Sequence, residues 1–200
     1  MEFLRHSLPS QQYRHRPLQG SQSIRVLELY PGEPDDILQG RLLEVSLDHS
    51  LRYEALSYAW GSSEQVDEIN FDSQTLGITQ SCSIALRNLR EPKKYRLLWI
   101  DSICIDQESA FERNHQVRLM GRVYWNANRV IVWLGLGNQQ THRAMKYLKN
   151  IAQQRDSSLI SRPEKLNALF KQTWFDRAWT VQEIALSRTG LVVCGHDSIS

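Results

Sequence analysis

The run VIVWL at residues 130–134 is apolar throughout, and a helical pattern lies on each side of it. FERNHQVRLMGRVYWNA (111–127) and THRAMKYLKNIAQQ (141–154) both place apolar residues at spacings of three and four, as amphipathic helices do. LLWI (97–100) and LVVC (191–194) are also continuously apolar, which is typical of strands buried on both faces. This succession predicts a three-layer α/β fold, a mostly parallel sheet flanked by helices.

The N-terminal part of the chain has a different pattern. IRVLELYPGEPDDILQGRLLEVSL (24–47) contains two β-type runs around a Pro, Gly and Asp cluster, and INFDSQTLGIT (69–79) suggests a second hairpin. We therefore predict an N-terminal β-hairpin elaboration of the sheet. Residues 1–22 are rich in Gln, Ser, Pro, Arg and His without apolar periodicity, which predicts a flexible lead-in before a domain at 23–200.

Composition narrows the classes of function. Acidic and basic residues are interspersed and the net charge is +2, so nucleic acid is not an expected partner. The three cysteines form no close pair and the six histidines are scattered, which argues against a disulfide framework and a metal site. No signal peptide or membrane span is apparent, and a reducing compartment suits the cysteine content. We expect a cytoplasmic protein without a membrane partner.

Polar residues follow two of the predicted strands. Ser57, Tyr58, Trp60 and Gly61 lie at the end of YEALSYAWG (53–61), and Asp101 follows LLWI. Ligands bind at the carboxyl ends of strands in open α/β sheets, so these residues are candidates for a binding site. Ordinary loop chemistry is the alternative for each, and for Asp101 alone a structural role is favoured. GLGN (135–138) lacks the third glycine of a dinucleotide fingerprint and is interpreted as a turn.

A cysteine nucleophile is a further alternative. Cys104 lies near a predicted strand end, and His115 or His196 could approach it in space. Since Cys104 stands between two isoleucines, a small buried hydrophobic side chain is the favoured interpretation.

The stretch WFDRAWTVQEIAL (174–186) places Glu183 on a predicted helix without a nearby charge partner. Its helical neighbours include Trp179 and Leu186, and none is basic. Such a carboxylate would be partly desolvated, as functional carboxylates in clefts often are. The alternative is that Glu183 caps a loop or pairs with a distant arginine such as Arg129, and that the aromatic residues belong to the core.

Several of these blocks together resemble the fungal heterokaryon-incompatibility (HET) domain. They are YEALSYAWG, LLWIDSICIDQ, QVRLMGRVYWNANRVIVWLG, WFDRAWTVQEIAL and VVCG, in the family's order from about Ile24 to the last residue. Ser81 and Asp106 depart from the pattern, since asparagine is usual at both positions. The resemblance implies a trigger of fungal cell death after non-self recognition, and it implies that the domain continues beyond residue 200.

The same blocks are similar, more distantly, to TIR domains, which implies a TIR- or flavodoxin-like sheet. In enzymatic TIR domains a glutamate on the matching helix is needed to cleave NAD, and the resemblance carries this role to Glu183. NAD is then a substrate, and no resident cofactor is implied. Tyr58, Trp60 and Trp179 are candidates to stack on its rings. TIR-like sites are typically completed by a neighbouring copy, so self-association is expected.

Two functions follow from the resemblance. The first is an NAD glycohydrolase, which requires Glu183 to face an open cleft beside Ser57–Gly61 and Asp101. The second is a non-catalytic module that signals by assembling with itself, a receptor or another signalling protein. In that module we expect Glu183 to be buried in a salt bridge.

Overall fold

The computed structural model describes residues 11–154, 163–177 and 180–200, and they form an α/β fold around one mixed sheet. Its strands are β1 (Gln11–Gln12), β2 (Ser23–Leu29), β3 (Leu38–Ser46), β4 (Glu54–Tyr58), β5 (Gln65–Phe71), β6 (Gln74–Thr79), β7 (Arg96–Trp99), β8 (Arg129–Trp133), β9 (Gly190–Cys194) and β10 (Asp197–Ile199). The helices are α1 (Gln80–Leu89), α2 (Asp101–Cys104), α3 (Ala110–Asn126), α4 (Gln139–Gln154), α5 (Asn167–Phe170) and α6 (Thr180–Ala185). Short 3₁₀ helices lie at Pro163–Leu166 and Thr173–Asp176.

The centre of the sheet is parallel. β7, β4, β8 and β9 lie side by side in that order and run in the same direction. The chain adds β7 on one side of β4, and it then adds β8 and β9 on the other side. The direction in which strands are added therefore reverses between β4 and β8. Right-handed crossovers place α1 on one face and α3 on the other, which gives the predicted three layers. Numbered along the chain, these four parallel strands lie in the spatial order second, first, third, fourth, as in flavodoxin-like sheets.

Both predicted hairpins are confirmed. β2 and β3 pair antiparallel from Ser23 opposite Ser46 to Leu29 opposite Gly40, and β2 also joins this hairpin to β7. β5 and β6 form the second hairpin, and β5 pairs with β3. Asp72 at its tip has a φ of 54°, a left-handed conformation that Asp tolerates better than most residues. The parallel centre is thereby extended at one side by the N-terminal elaboration.

The core is built from the apolar runs that predicted the strands. Trp99 of β7 and Val130 and Ile131 of β8 have no exposed surface, because helices cover both faces of these strands. α3 contributes Val123 and Tyr124, and the Tyr124 ring meets Trp99 edge-on at a centroid distance of 5.5 Å. The contact fixes α3 over the middle of the sheet.

The lead-in contacts the sheet from residue 11 onwards. β1 pairs with β6, and the ring of Tyr13 packs against Phe71 with centroids 4.8 Å apart. The domain boundary near residue 22 stays a prediction. Among the described residues, no helix combines the length and the apolar character that crossing a bilayer requires.

The last predicted helix is shorter than WFDRAWTVQEIAL suggested. Its start was predicted wrongly, because Thr173–Asp176 is a 3₁₀ helix and Arg177 has an extended ψ of 134°. Among the described residues, α6 covers Thr180–Ala185. The side chain of Trp174 points into the protein and is 6% exposed. Trp174 and Glu183 both hydrogen-bond to Ser57 at the end of β4.

Candidate functional site

Residues predicted from separate blocks of sequence meet at the carboxyl edge of the parallel sheet. Ser57 and Tyr58 end β4, and Asp101 begins α2 directly after β7. α6 brings Glu183 to Ser57. This edge adjoins the switch point between β4 and β8, where doubly wound sheets bind their ligands.

Glu183 is held by a relay of two hydrogen bonds. The indole Nε1 of Trp174 donates to the Ser57 hydroxyl at 2.7 Å, and that hydroxyl donates to Oε2 of Glu183. An indole nitrogen can only donate, so the single hydroxyl hydrogen of Ser57 is left for the carboxylate. Both Ser57 and Glu183 are 1% exposed. The relay therefore fixes one carboxylate oxygen in a position closed to solvent.

The other carboxylate oxygen faces a cation. Nη2 of Arg177 lies 3.6 Å from Oε1 of Glu183, which is within reach of an ion pair but longer than a hydrogen bond. Among the described residues, no donor is in hydrogen-bonding geometry to Oε1, although Tyr124 lies close enough for burial and the Glu183 carboxylate together to raise the pKa of Tyr124. The Nη1 group of Arg177 donates to the carbonyl of Tyr58, which anchors the guanidinium beside the carboxylate. A buried oxygen left in this state is costly, and such atoms in folded proteins call for an explanation.

Asp101 is a second buried carboxylate beside the first. Nε1 of Trp60 lies 3.1 Å from both of its oxygens, and the backbone N–H of Ser102 donates to Oδ1 at 2.8 Å. Burial raises the pKa of Asp101 to about 6, with Glu183 adding to the rise and Arg177 opposing it. The group thus carries a proton at a higher pH than an exposed aspartate.

The other predicted residues lie around this pair. Tyr58 is 1% exposed and its hydroxyl lies 2.7 Å from Oγ of Ser102, so its ring belongs to the core in this conformation. Trp60 is 36% exposed. Gly61 has a φ of 67°, and a Cβ there would lie 2.7 Å from Oγ of Ser81. Trp179 lies outside the described residues.

Arg177 and Trp174 were not among the predicted site residues. The prediction looked for a basic residue one helical turn from Glu183 and otherwise suggested a distant arginine, whereas Arg177 lies six positions before Glu183. Because the chain is extended at Arg177, its guanidinium can fold back to the carboxylate. The suggested partner Arg129 was wrong, since its side chain pairs with Glu54 instead. Trp174 and Arg177 both belong to the stretch WFDRAW (174–179). Their contacts with the Glu183 cluster depend on the extended backbone at Arg177, which the helical pattern did not predict.

A small cavity lies beside the cluster, at the switch point itself. It has a volume of about 210 Å³ and lies between the ends of β4 and β8 and the start of α1. Glu183 does not line it. Ligand pockets in proteins usually enclose about 300–1,000 Å³, so this cavity is too small for a dinucleotide. The described conformation is therefore closed around Glu183.

The loop after β8 forms a turn, as predicted. Gly135 and Gly137 have φ values of 109° and 69°, and Asn138 Oδ1 accepts from the N–H groups of Gln140 and Thr141. The helix α4 begins directly after this turn, at Gln139.

The described residues give little support to a cysteine nucleophile or to a metal site. Cys104 is 1% exposed, and burial raises the pKa of its thiol to about 12, which suits the buried hydrophobic interpretation. His115 contacts the carbonyl of Ser21 at 2.8 Å. Within the described ranges, no group of His, Cys, Asp and Glu side chains is arranged to hold a metal ion.

Comparisons with known proteins point to one family. The model of the family described as heterokaryon incompatibility protein (HET) matches residues 53–183, more than half of the chain. Heterokaryon incompatibility protein 6, OR allele, of Neurospora crassa is 28% identical over 232 aligned residues, which cover 90% of this chain and 34% of that protein. The chain thus spans about a third of the length of this curated relative. No solved structure matches the chain. Ser57, Asp101 and Glu183 all lie within the matched residues.

Proposed function

Because the chain belongs to the heterokaryon incompatibility (HET) family, we propose that it is the effector module of a fungal non-self recognition response that ends in cell death. The name of the relative, a heterokaryon incompatibility protein, supports this role. Since the chain spans about a third of that relative, a receptor or further module would control it, in the same polypeptide or in a separate one. The proposed place of action is the cytoplasm.

At the level of chemistry, the proposed reaction is cleavage of NAD into nicotinamide and ADP-ribose. One observation carries the proposal: Glu183 and Asp101 lie within electrostatic reach of each other at the switch-point edge of the sheet, and Oε1 of Glu183 has no hydrogen-bond partner among the described residues. A ribose hydroxyl is a donor that suits such an oxygen. NAD is the substrate, and the reaction needs no resident cofactor.

The reaction requires chiefly a negative charge held next to the ribose. The bond between C1′ of the ribose and the nicotinamide nitrogen breaks, and its electron pair leaves with nicotinamide, which departs neutral. Positive charge grows on the ribose as in glycoside hydrolysis, and Glu183 stabilises that charge while accepting from a ribose hydroxyl. Water then adds to C1′ and releases a proton. Trp60 offers a partly exposed indole surface for a ring of the substrate.

This reaction requires the site to open. Glu183 is 1% exposed and Arg177 lies beside it, so the guanidinium must move away before a ribose can approach. The guanidinium of Arg177 is anchored by its hydrogen bond to the Tyr58 carbonyl. The backbone of Arg177 is extended and follows the 3₁₀ helix at Thr173–Asp176. A shift of the Arg177 side chain would expose the carboxylate without disturbing the sheet. The described conformation is then the resting form of the enzyme.

The second candidate is a module without catalysis, which signals cell death by assembly. The observation that favours it is the burial of Glu183 next to Arg177, the arrangement expected for a structural salt bridge. In that case Trp174, Ser57 and Glu183 hold the carboxyl edge of the sheet together, and exposed side chains around that edge contact partners.

Nicotinamide release separates the two candidates. The purified chain is incubated with NAD at high protein concentration, alongside Glu183→Gln and the control Glu64→Gln, which changes an exposed glutamate. The amide that replaces the Glu183 carboxylate keeps an oxygen that can accept from Ser57, so this variant removes the charge with little loss of packing. The enzyme is expected to lose about a hundredfold or more in turnover in Glu183→Gln only.

Cell death in a fungal host adds the second measurement. If Glu183→Gln folds and loses both NAD cleavage and killing, the enzymatic proposal stands. If neither the unmodified chain nor Glu64→Gln releases nicotinamide while Glu183→Gln still kills, assembly is the mechanism. If the unmodified chain kills no cells when expressed with its receptor, the effector role itself is wrong.

A further inference from the structure

A second cavity lies away from the Glu183 cluster, between α4 and the segment formed by Pro163–Leu166 and α5. It has a volume of about 650 Å³, within the range of small-molecule pockets. Its walls are held in place by buried apolar side chains, Ala144 and Met145 from α4 and Leu166 and Leu169 from the other segment. Both walls of the groove are thus attached to the core of the fold.

The side chains that line this groove are strongly biased in charge. Four are cations and one is an anion, whereas the whole chain has 24 basic and 22 acidic residues. The charged groups are Arg143, Lys146, Lys165, Lys171 and Glu164. In the described part of the chain, the ion pairs involve other cations, so these four are not neutralised by carboxylates. Such an excess favours an anion in the groove.

The helix geometry explains why the cations converge. Arg143, Lys146 and Tyr147 lie three and four positions apart on α4, so their side chains share one face. The ammonium of Lys165 lies 4.8 Å from the centre of the Tyr147 ring, a cation–π contact that holds it across the groove from Arg143. This ammonium covers one face of the ring, which leaves less surface there for a nucleobase to stack on.

The geometry points to a binding site for a small, multiply phosphorylated ligand in the groove between α4 and α5. Lysine ammonium groups and one guanidinium are the groups that proteins use to bind phosphate oxygens. Since cations line both walls, a ligand with several phosphate groups has more of them to contact than a single phosphate has. A soluble polyphosphate and the headgroup of a phosphoinositide share this chemistry. The site does not depend on the reaction proposed for Glu183.

Calorimetric titration of the full chain with inorganic tripolyphosphate tests this site. The variant Lys146→Gln/Lys171→Gln removes one cation from each wall, and we expect affinity to fall about tenfold. The matched control is Lys93→Gln/Lys94→Gln, which removes two exposed charges from the turn before β7. Both variants change exposed side chains and should keep the thermal unfolding midpoint. Affinity should weaken as salt is added.

Flotation with phosphatidylcholine vesicles, with and without phosphatidylinositol bisphosphate, separates the two sources of phosphate. Binding to tripolyphosphate that falls only in the groove variant supports a site for soluble ligands. Binding only to phosphoinositide vesicles, with the same dependence on the groove lysines, supports a lipid headgroup. The site is overturned if neither probe binds, or if the control variant loses as much affinity as the groove variant.

Discussion

Ser57 is the smallest side chain in the Glu183 cluster, and it holds two larger ones in place. Its hydroxyl accepts from Trp174 and donates to Glu183. In Ser57→Ala the indole N–H and a carboxylate oxygen both lose their partner inside the protein. Each unsatisfied buried group costs about 1–3 kcal/mol, so we expect the free energy of unfolding to fall by about 2–6 kcal/mol. Urea denaturation followed by tryptophan fluorescence measures the change.

Ser63→Ala is the control for that measurement, because Ser63 is exposed in the loop after β4. Its free energy of unfolding should stay within about 0.5 kcal/mol of the unmodified chain. A Ser57→Ala variant as stable as the control would mean that Trp174 and Glu183 find other partners, and that the relay does not hold the site closed.

Asp101 should make stability depend on pH. Its pKa is 3.8 when unperturbed and about 6 in the folded protein, chiefly because of burial. The folded protein therefore holds this proton more tightly than the unfolded chain between those values. As pH rises from about 4 to about 6, the Asp101 contribution to the free energy of unfolding falls, by up to about 3 kcal/mol, and it then levels off.

Asp101→Asn removes this titration while keeping the size of the side chain and an acceptor for Trp60. Denaturation between pH 4 and pH 7 should show the variant gaining stability relative to the unmodified chain as pH rises. Asp35→Asn, at an exposed position, should run parallel to the unmodified chain. Parallel curves for Asp101→Asn as well would contradict the raised pKa.

Sequence reasoning found most of the candidate site, for a definite physical reason. Ser57 and Asp101 follow apolar strands, and the topology of α/β sheets brings such positions together. Arg177 could not be found in this way, because its contact with Glu183 depends on one extended residue within an otherwise helical pattern. For Tyr58 the sequence left two interpretations open, and its burial beside Ser102 agrees with the alternative that this ring belongs to the core.

At the scale of elements, the periodic segments were predicted well and the short ones were not. VIVWL and LLWI became β8 and β7 because each is too apolar to lie anywhere but in the core. The α5 helix at Asn167–Phe170 and the 3₁₀ helices beside it have about one turn each, too few residues to show a period. These short elements shape both the Glu183 cluster and the cationic groove.

Arg25 joins three elements and gives an element-scale prediction. This β2 side chain is 5% exposed and pairs with Glu112 of α3, while it also donates to the carbonyls of Cys104 and Arg16. Arg25→Met leaves Glu112 without its cation, and breaking a buried pair costs about 3–5 kcal/mol. We expect denaturation to show that loss, and hydrogen exchange in residues 13–18 to accelerate because Arg16 is released.

Arg41→Met provides a matched comparison. Arg41 also pairs with a glutamate, Glu28, but its side chain is 56% exposed, so the pair is worth less than about 1 kcal/mol. If Arg25→Met costs no more than Arg41→Met, the lead-in is held by other contacts, such as the β1 pairing with β6.

At the scale of the whole molecule, the described conformation is closed and the chain spans about a third of its relative. These facts fit one arrangement. The proposed effector must stay silent until non-self is recognised, and under the proposed function a buried Glu183 beside Arg177 provides that silent state. A partner that binds the open form better than the closed form would shift the population towards it. Under the proposed function, control belongs to the assembly and chemistry to this module.

Self-association is the simplest assembly that could open the site, and it gives the last prediction. If copies associate preferentially in the open form, mass action couples opening to protein concentration. We therefore expect nicotinamide release per molecule to rise with concentration, measured over a dilution series in parallel with sedimentation velocity. Glu183→Gln should sediment like the unmodified chain and release none. Turnover per molecule that stays constant while sedimentation passes from monomer to oligomer would show that assembly does not relieve the closure, and that an external partner must move Arg177.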